Sequence, residues 1–96
     1  MRLSADTAAI IRDTAAEMFG GPVRLFGSRL DDSARGGDID LYVETELVAA
    51  EAEERRLRML ARLARRLGDR KIDLVVKSVD GELPIHAVAR REGVIL

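Results

Sequence analysis

Residues 25–44 read LFGSRLDDSARGGDIDLYVE, and this stretch carries the signals for both the fold and the chemistry. An apolar run at 23–26 leads into Gly27-Ser28 and a polar segment that ends at Gly36-Gly37. Apolar and polar residues then alternate over 38–44, a period of two that is typical of a strand with one buried face. The buried face would carry Ile39, Leu41 and Val43. The opposite face would carry Asp38, Asp40, Tyr42 and Glu44.

Helical and strand patterns continue on both sides of this stretch. A helix is expected from Ser4 or Asp6 to about Met18, a strand at 23–26, and a long helix from about Glu46 to Leu67. A third strand is expected at 70–78, and a short helix from Pro84 to about Arg91, after which GVIL could form an edge strand. This order predicts one α/β (α+β) domain over 1–96, with a small mixed β-sheet and helices mainly on one face.

The periodic apolar positions indicate which side chains form the core. The first helix has an apolar stripe at Ile10, Ile11, Thr14 and Met18. The long helix is expected to bury Leu57, Leu60, Leu63, Ala64 and Leu67. The third strand would add Ile72, Leu74 and Val76.

Composition excludes several classes of protein. The 96 residues contain no cysteine, which rules out a disulfide scaffold and fits a cytoplasmic location. The N-terminal MRLSADTAAIIRD has no long apolar run, so no signal peptide is expected, and no stretch approaches the roughly 20 apolar residues of a membrane span. A net charge of −1 makes direct nucleic-acid binding unlikely on charge alone.

The two aspartates of the opening stretch suit a divalent cation. Asp38 and Asp40 would lie on one strand face about 7 Å apart, where their charges repel unless water or a cation intervenes. Mg²⁺ prefers such oxygen ligands together with phosphate oxygens. Asp73, in KIDLVV at 71–76, alternates with Ile72 and Leu74 in the same way and is a candidate third carboxylate.

The glycines before these aspartates suit a phosphate group. Gly27 directly follows a predicted strand, where a glycine lets backbone N–H groups approach a phosphate closely. Ser28 adds a hydroxyl donor and Arg29 a positive charge. A phosphate cradle, a metal site and a proton-accepting carboxylate are together the parts of phosphoryl-group transfer.

GSRLDDSARGGDIDLYV at 27–43 with the later KIDLVV resembles the polymerase-beta-type nucleotidyltransferase superfamily, most closely its minimal nucleotidyltransferase (MNT) group. The superfamily motif is Gly-Ser, a spacer, Asp-x-Asp and a third acidic residue on a neighbouring strand. The resemblance covers nearly the whole chain and implies a polymerase-beta-like core. It implies that Asp38, Asp40 and Asp73 are catalytic and bind two Mg²⁺ ions, and that Gly27, Ser28 and Arg29 bind the nucleotide.

The resemblance also implies a partner. MNT proteins are often paired with a HEPN-domain ribonuclease toxin, and some transfer AMP from ATP to a hydroxyl of that toxin. The expected function is therefore that of a protein adenylyltransferase acting as an antitoxin. The alternatives are a non-catalytic antitoxin that neutralises its toxin by direct binding, and transfer to a small molecule with help from a second subunit. The protein could form a homodimer or a hetero-oligomer whether it acts as a catalytic or as a non-catalytic antitoxin.

Several other features have competing readings. The long helix is acidic at its start and carries six arginines, Arg55, Arg56, Arg58, Arg62, Arg65 and Arg66, which form either a solvated face or a docking surface. Tyr42 either lies near the site or covers the aspartate-bearing face, and His86 is expected to be structural. The C-terminal VARREGVIL is either a lid or a partner-binding tail.

Overall fold

Three helices and four strands make up the computed structural model, which describes residues 3–27, 39–81 and 83–96. In chain order they are α1 (Ala5–Phe19), β1 (Val23–Phe26), β2 (Ile39–Glu44), α2 (Ala49–Leu67), β3 (Ile72–Lys77), α3 (Pro84–Glu92) and β4 (Val94–Ile95). Every element expected from the sequence is present, including the short strand at the C-terminal end.

Helix α1 begins and ends at residues whose side chains or backbone satisfy its terminal groups. The Ser4 hydroxyl accepts a hydrogen bond from the Thr7 N–H at 3.1 Å, so Ser4 rather than Asp6 caps the helix. At the other end Gly20 adopts the left-handed conformation with φ of 68° and donates its N–H to the Ala16 carbonyl.

Helix α2 begins three residues later than its sequence pattern indicates, at Ala49 instead of Glu46. The hydroxyl oxygen of Thr45 accepts a hydrogen bond from the Leu47 N–H at 3.2 Å, which holds this segment in a turn. Val48 then has an extended backbone, and its carbonyl accepts the first hydrogen bond of the helix, from Ala52.

The four strands form one mixed sheet in the order β3-β2-β1-β4. β1 is antiparallel to both β2 and β4, whereas β2 and β3 are parallel. A parallel pair needs a crossover connection, and α2 supplies it between β2 and β3. β4 lies at an edge, as expected, with Val94 opposite Leu25 and Ile95 opposite Arg24.

The core lies between one face of the sheet and helices α1 and α2. The alternation over β2 is confirmed, because Ile39, Leu41 and Val43 are all fully buried in it. The α/β (α+β) fold class with a small mixed sheet is therefore confirmed. The other buried members of this core are Ile11, Ala15, Met18, Val23, Leu25, Met59, Leu63 and Leu74.

Two of the expected core positions of α2 are wrong. Leu57 is 55% exposed and Ala64 also faces solvent, whereas Met59 is fully buried. The helix is rotated so that Ala52, Met59 and Leu63, separated by seven and four residues, face the sheet. The remaining expected positions are buried or pack against the core: Ile10, Ile11, Leu60, Leu63, Leu67, Ile72, Leu74 and Val76.

Polar contacts also join α1 to α2. The Arg66 guanidinium donates to both carboxylate oxygens of Glu17, at 2.7 and 2.9 Å, and to the hydroxyl of the fully buried Thr14 at 2.7 Å. Arg62 approaches the same Glu17 carboxylate at 3.6 Å. Further along, Arg55 donates to the Met18 carbonyl at 2.8 Å. These contacts align the two helices on the sheet.

Helix α3 lies on the opposite face of the sheet, the one that carries Asp40. The His86 ring lies 5.9 Å from the Tyr42 ring, centroid to centroid, and Tyr42 is fully buried beneath the helix. Arg90 donates to Glu44 at 2.9 Å and to the Tyr42 hydroxyl at 3.4 Å. Two helices therefore cover one face, and the third covers part of the other.

The orientation of α2 predicts a contrast between two nearby substitutions. Met59→Ala removes a fully buried side chain and should lower the free energy of unfolding by about 2–5 kcal/mol, through lost burial and the cavity left behind. Leu57→Ala should change it by no more than about 0.5 kcal/mol, because that side chain is largely in water. Urea denaturation of both variants measures the difference. An equal loss of unfolding free energy in both would mean that α2 is rotated about its axis so that Leu57 is also buried.

The Glu17–Arg66 contact predicts a dependence on pH. The hydrogen bond from Arg66 lowers the pKa of Glu17, so the contact stabilises the fold when Glu17 is ionised and is lost as pH falls through the lowered pKa. The urea midpoints of wild type and Arg66→Met should therefore differ most near neutral pH, and the difference should shrink below about pH 4 to what the hydrogen bond to Thr14 contributes. Arg65→Met is the control, since Arg65 pairs with no residue in the described part of the chain. A constant difference at all pH values would contradict the assignment.

Candidate active site

The pairing of β2 with β3 brings two of the predicted carboxylates together. Asp40 and Asp73 are register partners in this parallel pair, on strands about 4.8 Å apart. Both alternate with buried leucines, Leu41 and Leu74, so both side chains lie on the face opposite α1 and α2. Asp40 is half-buried on a central strand, and Asp73 is exposed on the edge strand.

Gly27 lies directly against the Asp40 carboxylate. β1 ends at Phe26, which is the register partner of Asp40, and Gly27 follows with φ of 78°. A Cβ at this position would collide with Asp40 Oδ2 and lie 3.0 Å from its Cγ. Both the left-handed backbone and the lack of space therefore require glycine here. The Gly27 backbone therefore packs directly against the Asp40 carboxylate at the end of β1.

The described members of the predicted site meet at one end of the sheet. Gly27, Asp40 and Asp73 lie where β1 ends and where β2 and β3 begin. Asp38, Ser28 and Arg29 lie outside the described residues. Their assignment as metal ligand and nucleotide-binding residues stays a prediction from the sequence.

Arg56 is a positive charge near this site that the sequence analysis did not assign to it. Its guanidinium donates two hydrogen bonds of 2.7 Å to Glu53, and this contact is the main reason that the pKa of Arg56 is raised. The negative charge of Asp73 raises the same pKa further. Since Arg56 is on α2 and Asp73 on β3, no spacing along the sequence could have revealed this relation.

The carboxylates that meet here suit a hard divalent cation. Two aspartates on adjacent strands supply oxygen ligands of the kind that such a cation prefers. Within residues 3–27, 39–81 and 83–96, no group of three or more potential metal-ligating side chains is found. The third predicted ligand, Asp38, falls outside these ranges, directly before Ile39.

Tyr42 and His86 have structural surroundings. Tyr42 is fully buried under α3, so of its two readings the structure favours the one in which it covers the sheet face. His86 is 6% exposed, and its Nδ1 accepts a hydrogen bond from the Leu83 N–H at 2.9 Å. That bond places the proton of the neutral ring on Nε2.

The arginines of α2 are mostly paired within the chain. Beyond the contacts of Arg55, Arg62 and Arg66 with α1, Arg56 pairs with Glu53 and Arg58 donates to Glu54 at 2.6 Å. Five of the six arginines thus have a partner in the described residues. This favours a solvated, internally paired face over a free docking surface.

Three comparisons bear on the identity of the chain. No protein-family model, no curated protein and no solved structure matches it. The likeness to nucleotidyltransferases therefore rests on the motif residues and on where the fold places them. Separately, none of the helices in the described residues has the length and apolar character needed to cross a membrane.

The contact between Gly27 and Asp40 predicts the effect of a methyl group. Gly27→Ala and Gly20→Ala each force alanine into the left-handed region, so each should lower the free energy of unfolding by about 1–2 kcal/mol. Gly20 has nothing within 4 Å of an added Cβ. Only Gly27→Ala should therefore also displace the Asp40 carboxylate, seen as a shifted NMR signal of its carboxyl carbon. An unshifted signal in a folded Gly27→Ala protein would contradict the geometry.

Proposed function

We propose that this protein is a Mg²⁺-dependent nucleotidyltransferase that transfers a nucleoside monophosphate, with ATP as the expected donor, to a hydroxyl of a partner protein. The observation that supports this most is the register pairing of Asp40 with Asp73, beside the tight backbone at Gly27. Together these residues place two oxygen ligands and the Gly27 backbone at one end of the sheet. In this proposal the two carboxylates would hold a metal ion that neutralises the charge of a triphosphate.

In this proposal Asp40, Asp73 and Asp38 hold the metal. When bound, Mg²⁺ supplies a Lewis acid that lowers the pKa of the attacking hydroxyl and offsets charge on the phosphates. Half-buried Asp40 is the more fixed of the two described carboxylates, since it lies on a central strand and packs against Gly27. It would therefore hold most firmly the metal ion to which the α-phosphate would bind.

Asp73 lies where the hydroxyl group of an acceptor molecule could reach it. It is exposed and lies on edge strand β3, so a hydroxyl carried by a large molecule can reach it. Asp73 would orient that hydroxyl and accept its proton as the oxygen attacks the α-phosphorus and pyrophosphate leaves. Gly27, followed by Ser28, would hold the departing phosphates through backbone N–H groups.

The acceptor that best fits an open site is a protein. Asp73 stands at the rim of the sheet, so no enclosed pocket is needed around the hydroxyl. The motif resemblance suggests a HEPN-domain toxin as this acceptor, which would make the chain an antitoxin. Neutralisation by binding alone is the other candidate, and the pairing of five arginines of α2 within the chain gives it little support.

Removing either described carboxylate should abolish transfer. Asp40→Asn and Asp73→Asn each keep the size of the side chain but remove the negative charge, so transfer should fall by at least about 100-fold. The measurement is the intact mass of a co-expressed HEPN-domain protein after incubation with ATP and Mg²⁺, where each transfer adds one AMP.

Asp13→Asn is the matched control, since Asp13 is exposed on α1, which packs on the opposite face of the sheet from Asp40 and Asp73. It should transfer AMP as the wild type does. An added AMP in both Asp40→Asn and Asp73→Asn would overturn the catalytic proposal. No added AMP in the wild type, with a stable complex between the two proteins, would support neutralisation by binding.

A further inference from the structure

A pocket of about 240 Å³ lies at the opposite end of the sheet from Asp40 and Asp73. It is lined by Phe19 at the end of α1, by Glu44, Thr45 and Glu46 at and after the end of β2, and by Lys77 and Val79 at and after the end of β3. Glu44 is four residues beyond Asp40 on the same strand, which corresponds to about 13 Å. The pocket is therefore separate from the proposed active site.

The fold holds the walls of this pocket in place. The Thr45 N–H donates to the Lys77 carbonyl at 2.9 Å, and the Val79 N–H donates to the Leu47 carbonyl at 3.0 Å. These bonds extend the pairing of β2 and β3 beyond the strand ends. The carboxyl ends of parallel strands are also where ligands bind in many open α/β sheets.

Two charged groups in the pocket have unused hydrogen-bonding capacity. Glu46 makes no hydrogen bond or ion pair with any residue in the described ranges. Among the described residues, Lys77 donates only to the carbonyl of its neighbour Ser78, at 3.3 Å, although an ammonium group has three donors. An anionic and a cationic group thus border the same space, together with the apolar side chains of Phe19 and Val79.

These charges restrict which ligands can bind. A simple cation would be repelled by the ammonium group of Lys77, and a simple anion by the carboxylate of Glu46. The Glu44 carboxylate is already paired with Arg90 at 2.9 Å and lies 3.7 Å from Arg24. A molecule that carries both charges close together avoids both penalties. A volume of about 240 Å³ equals roughly eight water volumes of about 30 Å³ each, enough for about eight or nine non-hydrogen atoms.

We propose that this pocket binds a free α-amino acid with an apolar side chain, such as leucine or valine. The carboxylate of the amino acid pairs with Lys77, its ammonium group pairs with Glu46, and its side chain packs against Phe19 and Val79. The inference is independent of the proposed nucleotidyl transfer, because it uses none of the residues assigned to that reaction.

The test is a titration of the isotope-labelled protein with L-leucine up to about 20 mM, because so small a ligand makes few contacts. Leucine should shift the backbone amide signals of Thr45, Glu46 and Lys77. Isopentylamine lacks the carboxylate, isocaproate lacks the ammonium group, and serine lacks the apolar side chain. Each of these should bind at least about tenfold more weakly, since each loses one set of contacts.

Glu46→Gln and Lys77→Met should each weaken leucine binding by about tenfold or more while the rest of the amide spectrum stays unchanged. Asp69→Asn and Arg65→Met remove the same charges elsewhere on the surface and should leave binding as it is. The proposal is overturned if leucine shifts none of the three amides. It is also overturned if isopentylamine or isocaproate binds as well as leucine, or if the two pocket variants bind it normally.

Discussion

The structure depends most on the parallel pairing of β2 with β3. Six register pairs run from Ile39 opposite Ile72 to Glu44 opposite Lys77. The pairing requires the crossover through α2, whose buried side then covers the sheet together with α1. It also places Asp40 beside Asp73 on the other face of the sheet, which α3 covers only in part. Like charges directly opposite each other on neighbouring strands destabilise a sheet. A cation bound between them would offset that cost, which is the physical reason for the metal site that we propose.

The elements could largely be predicted from the sequence because their signals are local. Ser4 and Gly20 form the two ends of α1 through hydrogen bonds to residues three or four positions away. Strict alternation of apolar and polar residues identified the buried face of β2. Long-range features could not be predicted in the same way. Nothing local distinguishes Leu57 from Met59 as the buried residue of α2, because both lie on apolar stripes and the tilt of the helix decides between them.

In the candidate site, too, some features could be predicted from local sequence signals and others depend on long-range packing. The residue types and the two-residue spacing of the aspartates pointed to metal chemistry, and the register confirms that Asp40 and Asp73 are neighbours. The contact of Gly27 with Asp40 depends on where β1 ends relative to β2, which spacing does not reveal. The electrostatic relation of Arg56 to Asp73 likewise arises only because α2 packs against β3.

The charged surface also has a structural purpose that composition alone does not reveal. A third of the residues are charged, yet many of these side chains connect one element to another. Glu17 joins α1 to α2 through Arg66, and Glu44 joins the sheet to α3 through Arg90. With only three aromatic side chains available, these contacts supplement a small aliphatic core.

The most direct test of the central claim is to locate a divalent cation on the protein by NMR with trace Mn²⁺. Paramagnetic Mn²⁺ broadens amide signals close to where it binds, and excess Mg²⁺ should reverse the effect at a shared site. The amides of Gly27, Asp40 and Asp73 are expected to broaden first and to recover when Mg²⁺ is added. Broadening that instead begins at other carboxylates, and leaves these three amides sharp, would contradict the assignment of the aspartate pair as a metal site.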